Sequence, residues 1–146
     1  MFLYLDTSAL VKRYIAEAEA EDVDAVMNDS GAVGTSLITR TEVAAALARA
    51  VRQGRLNEDG GREAHRRFLE EWPDFGRVPV TDALAARADE LTWTHALRAY
   101  DAMQLAAALA CQETLEALQE DVLFACFDER LRAAAGETGL ATWPEG

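Results

Sequence analysis

The chain has one lysine, Lys12, two histidines, His65 and His95, and two cysteines, Cys111 and Cys126. Each scarcity removes a chemistry. The cysteines show no C-x-x-C spacing, which argues against zinc and thiol-exchange sites and for two thiols packed in a core. His65 falls in a polar helical stretch and His95 near a helix end, so both read as surface residues rather than general bases. No G-x-x-x-x-G-K loop is present to cradle a nucleotide phosphate. A phosphoacceptor receiver needs a lysine at a late strand, whereas Lys12 lies in the first helix. A haloacid-dehalogenase-like phosphatase needs a second aspartate two residues after its first, and that position is Ser8. No apolar run nears the roughly 18 residues that read as a membrane span, and Asp6 comes too early for a secretory leader, so a cytoplasmic protein is expected.

Positive charge is also short. The net charge is −12, from 26 acidic and 14 basic residues. Such a balance ordinarily disfavours nucleic acid, because phosphate binding relies on counterion release by Lys and Arg. The distribution softens that argument. Of the 14 basic residues 13 are arginine, and Arg49, Arg52, Arg55, Arg62, Arg66 and Arg67 follow one another closely. The cluster reads either as solvated helix faces or as a phosphate-binding patch, for which the bidentate guanidinium fork is well suited. On the second reading Arg49, Arg52 and Arg55, with Arg98 further along, are candidate RNA contacts. The acidic surplus also suits a basic partner peptide.

At 146 residues the chain is long enough for one full core and too short for two. Period and punctuation give an alternating order of elements. Strands are expected at 2–5, 32–36, 77–80 and 122–127, with a marginal fifth at 140–143. Helices are expected at 8–15, 18–28, 39–53 (ended by Gly54), from Asn57 to before Pro73, from Thr81 to about 94, at 99–118, and from Asp128 through 135, closed by Gly136. Helical crossovers between strands imply a single α/β domain over 1–146, with a mostly parallel four- to five-stranded sheet covered on both faces.

Four acids occupy the junctions of this layout. Asp6 and Asp128 follow apolar strands, and Glu42 and Asp101 lie in first turns of helices. In open α/β sheets ligands bind beyond the carboxyl ends of strands, so convergence there would make a carboxylate cage for a divalent cation. Each acid also has a plainer explanation. Thr39-Arg40-Thr41-Glu42 has the form of a capping box, Asp6 and Asp128 suit N-caps, and Asp101 favours the helix macrodipole. Four capping acids would not by themselves recur at one edge of one sheet.

The segments Leu5-Asp6-Thr7-Ser8-Ala9-Leu10, Thr41-Glu42-Val43, Leu97-Arg98-Ala99-Tyr100-Asp101-Ala102-Met103-Gln104-Leu105-Ala106-Ala107-Ala108 and Phe127-Asp128-Glu129-Arg130-Leu131 together resemble the PIN domain, particularly the VapC-type toxins of type II toxin–antitoxin pairs. The resemblance spans essentially the whole chain, and the stretch from Arg98 to Ala108 is its most specific part. It implies a parallel sheet flanked by helices and a metal-dependent endoribonuclease. Asp6, Glu42, Asp101 and Asp128 would be the catalytic, metal-binding acids for Mg²⁺ or Mn²⁺, with Thr7 and Ser8 supporting the site. It also implies a cognate antitoxin that places a basic residue in the acidic groove. A homodimer is expected as well, with Val11, Tyr14 and Ile15 as contacts unless they pack in the core. An inactive binding module for RNA or protein is the alternative. Hard cations bound by carboxylate and water oxygens suit phosphodiester hydrolysis, which then needs no side-chain nucleophile.

Overall fold

The computed structural model describes residues 1–145. Gly146, the last residue of the expected domain, lies outside them. The chain runs β1 (Phe2–Leu5), α1 (Thr7–Leu10), a 3₁₀ turn (Val11–Arg13), α2 (Ala20–Asp29), β2 (Ala32–Ser36), α3 (Thr39–Arg52) and α4 (Glu58–Glu71). After a second 3₁₀ turn (Trp72–Asp74) come β3 (Gly76–Val78), α5 (Asp82–His95), α6 (Ala99–Glu116), β4 (Val122–Ala125), α7 (Glu129–Glu137) and β5 (Ala141–Trp143). The five strands form one sheet in the order β3-β2-β1-β4-β5. Every pairing is parallel, as the helical crossovers require.

Side-chain alternation along β1 divides the core into two layers. Leu3 and Leu5 point to one face, where Leu10, Val43, Leu47 and Phe68 cover them from α1, α3 and α4. Tyr4 points to the other, among Leu84, Leu91, Leu105 and Leu131 of α5, α6 and α7. It stacks on Phe124, its register partner on β4, at 5.6 Å between ring centroids. Both faces of β1 are therefore dry; the chain winds outward from it through β2 and β3, then returns through α5 and α6 to lay β4 on its other side, so the connections diverge there. That divergence makes the carboxyl end of β1 the topological switch point, where a crevice must open.

Several boundaries differ from expectation for identifiable reasons. The first helix is a single α-turn tightened into 3₁₀, which buries Tyr14 and Ile15; the Tyr14 ring meets Phe68 edge-on at 5.4 Å. Those two residues are thus core, and they do not supply a dimer surface. β3 stops at Val78 because Pro79 has no N–H to continue pairing. Gly136 lies inside α7, and the left-handed residue after the helix is Gly139, at φ 95°. The capping box at Thr39 does not form. Ile38 is the N-cap and gives no side-chain bond, while the buried Thr39 hydroxyl meets that of Thr35 at 2.7 Å. The histidines are less exposed than expected: His65 is half-buried, and His95 packs against Glu137 with its side chain 11% exposed. Cys126 is buried and Cys111 half-buried. Among the described residues no helix is long and apolar enough to cross a membrane.

Sheet spacing at β2 depends on Gly34, which pairs with Tyr4 on one side and Gly76 on the other. A Cβ there would lie 2.5 Å from Phe2 Cζ and 3.0 Å from the Gly76 carbonyl oxygen. Gly34→Ala is expected to cost about 1–3 kcal/mol by overpacking, read as a lower urea midpoint. An unchanged midpoint would mean that the Phe2 ring swings clear at no cost.

Candidate metal centre and active site

Asp6 ends β1 at the switch point and is 4% exposed. It caps α1: its Oδ1 accepts from the Ala9 amide at 3.2 Å and from the Ser8 hydroxyl at 2.6 Å. Ser8 Oγ in turn accepts from the Phe127 amide at 2.8 Å, which ties the segment after β4 to the same carboxylate. With Oδ1 occupied twice, Oδ2 is the oxygen free to bind a cation.

Glu42 is treated in the same way. Its Oε1 accepts from Thr7 Oγ1 at 3.0 Å and from Gln104 Nε2 at 2.8 Å, leaving Oε2. Loss of the capping box is what releases Glu42 for this role. Asp128 caps α7 through Oδ1, 3.0 Å from the Leu131 amide. Asp101, in the first turn of α6, feels its own burial first, then repulsion from Asp128, and attraction to Arg98 and Arg130. All four acids line a single cavity of about 680 Å³, within the range of roughly 300–1,000 Å³ typical of ligand sites. The capping explanations hold for Asp6 and Asp128, and the cavity holds for all four.

Gln104 is the residue that spacing did not single out. It is 1% exposed and every polar atom of its amide is used. Oε1 accepts from the Tyr4 phenol at 2.6 Å, while Nε2 donates to Thr39 Oγ1 at 2.9 Å, to Glu42 at 2.8 Å and, more weakly, to Thr7 at 3.2 Å. Thr39 meets Thr35, whose hydroxyl donates to the Leu5 carbonyl at 2.6 Å. The network joins α6 to α3 across the end of the sheet. An amide three residues after Asp101 shares its helix face, and that spacing was the available signal.

Among the candidate RNA contacts, only Arg49 lines the acidic cavity. Arg52 faces a separate groove between α3 and α4, and Arg55 pairs with Glu17 at 3.4 Å. Arg62 and Arg66 are spent on Glu58 and Glu63 of their own helix, and Arg67 lies over the Tyr14 ring. That part of the cluster is a solvated helix face. Arg98 caps no amide with its side chain, and its charge acts on Asp101. Arg130, which sequence reasoning passed over, acts there too. Val11 is half-buried and lines both the cavity and the groove beside it.

Electrostatics favours a cation. Burial pushes the Asp6 carboxyl up to about 7 against the hydrogen bonds from Ser8 and Ala9, with Glu42 adding repulsion. Burial also raises Glu42, opposed by Gln104 and Thr7, and raises Asp101, reinforced by Asp128. Burial likewise lifts the Cys126 thiol far above its ordinary range, so it is no nucleophile. Among the described residues no three acids, histidines or cysteines close on a common point at bonding distance. The acids ring the cavity instead, an arrangement suited to Mg²⁺, which keeps several waters and takes only one or two carboxylates directly. The donors are all hard oxygens; Asp6, Glu42 and Asp128 each have one oxygen pinned by hydrogen bonds and the other left over, and the set fits such an ion.

A sequence model of the PIN domain matches residues 3–137. Ribonuclease VapC49 of Mycobacterium tuberculosis (strain ATCC 25618 / H37Rv) is 32% identical over 142 residues, 97% of this chain and 94% of that protein. The fold resembles that of the FitAcB crystal structure from Neisseria gonorrhoeae, with a TM-score of 0.68 at 22% identity over 99% of this chain and 97% of that one. It also resembles a chain of a toxin–antitoxin complex from Klebsiella pneumoniae, with a TM-score of 0.55 at 19% identity over 83% of each chain.

The raised carboxyls have a consequence for stability. Between the unfolded value of 3.8 and the folded value of about 7, folded Asp6 keeps a proton that the unfolded chain has lost. Stability from this group is therefore full below pH 3.8 and falls as pH rises toward 7, by up to about 4 kcal/mol. In EDTA the protein is expected to melt at a higher temperature at pH 5.5 than at pH 7.5, and Asp6→Asn is expected to flatten that dependence. Equal slopes in the two proteins would contradict the assignment.

Proposed function

This chain belongs to the PIN domain family, and from that premise we propose that residues 1–146 form one PIN-like domain acting as the endoribonuclease toxin of a toxin–antitoxin pair. The observation that carries the proposal is the convergence of Asp6, Glu42, Asp101 and Asp128 on one cavity at the sheet's switch point. The name of the ribonuclease relative supports RNA as the substrate. Mg²⁺ or Mn²⁺, held by these acids, would supply an activated water and offset charge on the phosphate and the departing oxygen.

The chain's own residues do the rest. Ser8 and the Ala9 amide hold Asp6 so that Oδ2 faces inward without a rotamer search. Gln104 and Thr7 do the same for Glu42. The elevated proton affinities of Asp6, Glu42 and Asp101 mean that protons leave these groups as a cation enters. Arg49 within the cavity, and Arg98 and Arg130 beside Asp101, draw the RNA backbone over a molecule whose net charge would otherwise repel it. The toxin–antitoxin assembly found for a structural neighbour supports an antitoxin partner. Its contact would include a basic side chain entering the acidic cavity. A homodimer and a cytoplasmic location complete the proposal, with the dimer surface outside Tyr14 and Ile15.

The test is cleavage of total cellular RNA with Mg²⁺, with Mn²⁺ and with EDTA. Cutting should require the metal and fall about a hundredfold or more in Asp6→Asn and Asp101→Asn, a loss on the scale of removing a preorganised electrostatic group. Asn still caps helices, so folded but inactive variants separate ligand from cap. Undiminished cutting by both variants would contradict the assignment. Arg49→Ala should weaken RNA binding and lower its salt dependence by about one phosphate contact, whereas Arg62→Ala should change neither. Equal effects of the two would mean that the helix face, not the cavity, meets RNA.

A further inference from the structure

The walls of the acidic cavity are not acidic throughout. Val11, Ile38, Ala45 and Ala46 give it an apolar side, and Tyr100 stands at its rim with 64% of its surface exposed. A mostly exposed aromatic ring gains little from folding, since most of it stays in water. Another large aromatic, Trp93, is even more exposed, at 89%, but belongs to none of the cavities around the acids. Tyr100 is thus an aromatic surface placed specifically beside the carboxylates. Its Cα is one peptide, about 3.8 Å, from that of Asp101.

We propose that Tyr100 is a nucleobase-stacking subsite that holds a base next to the scissile phosphate of single-stranded RNA. The inference rests on the nuclease reading above and deepens it. A bound nucleotide has two unlike ends, a charged phosphate and a flat apolar base. The cavity has the same two characters, with acids for a phosphate-bridging cation on one part and an aromatic rim with apolar walls on the other. Cutting a phosphodiester through a cation needs only the first. Because Tyr100 and Asp101 are adjacent, a phosphate held over the acids leaves its own base within reach of the ring. Every base has a π-face, so the subsite positions the strand without demanding one sequence, and unpaired strands are the RNA form whose bases are free to stack. Arg49 in the same cavity provides the cationic partner for the backbone that a protein ligand rich in basic groups would not need.

The experiment uses the full chain carrying Asp6→Asn, so that RNA is bound and not cut, and fluorescein-labelled 20-nucleotide poly(A), poly(C) and poly(U) RNA read by anisotropy. Adding Tyr100→Ala should weaken binding about five- to a hundredfold. Tyr100→Phe and Tyr100→Trp should retain it, and the new indole of Tyr100→Trp should be quenched by RNA beyond the quenching seen in the parent. Trp93→Ala should leave binding unchanged. The stacking subsite is overturned if Tyr100→Ala binds like the parent, if Tyr100→Phe loses as much as Tyr100→Ala, or if Trp93→Ala loses as much. It is also overturned if Tyr100→Ala spares RNA and weakens only an arginine-bearing peptide, which would make the ring a protein contact. A parent that binds none of the RNAs would sink the nuclease reading itself and the subsite with it.

Discussion

A carboxylate buried at the end of the central strand is the constraint to which much of this structure answers. Asp6 sits where the strand order reverses, with β2 and β3 laid down on one side of β1 and β4 and β5 on the other, so the fold opens a crevice there whatever the side chains are. Putting an acid at that point raises its pKa and sets it against Glu42. The surroundings respond by satisfying one oxygen of it with Ser8 and the Ala9 amide. The other oxygen faces a cavity with three more acids around it. Such an arrangement is unfavourable for an isolated protein and favourable for one that binds a hard cation, and the raised pKa values record that tension.

The polar network around Gln104 keeps the tension local. Its amide reaches the Tyr4 phenol in one core layer and Thr39 and Glu42 on the helix covering the other. Nothing in the network is left unpaired, so its burial is tolerated, and Glu42 is held without a basic partner that would compete with a cation. The buried side-chain atom without a partner among the described residues, the Tyr14 hydroxyl, lies in the opposite layer.

Much of the fold was legible in the sequence, because short apolar runs punctuated by helix caps specify parallel strands and crossovers. β1 and β2 were read to the residue, and Asn57 and Thr81 cap their helices as expected. What failed did so where tertiary bonds outcompeted local ones. The Thr39 hydroxyl turned to Thr35 instead of closing a capping box, and Gly139 rather than Gly136 took the left-handed turn. The four acids were legible as positions at strand ends and helix starts. Gln104 was not, because an amide's importance lies in which distant groups it meets. The arginine cluster divided only in three dimensions, since ion pairing within α4 cannot be told from phosphate binding by spacing.

The central claim is that these four carboxylates hold a divalent cation. Its most direct test is an anomalous difference map from a crystal of the wild-type protein soaked in Mn²⁺. The account predicts a peak inside the cavity, between Asp6 and its three acidic neighbours. A crystal with an open, solvent-connected cavity that shows no peak there at saturating Mn²⁺ would contradict it.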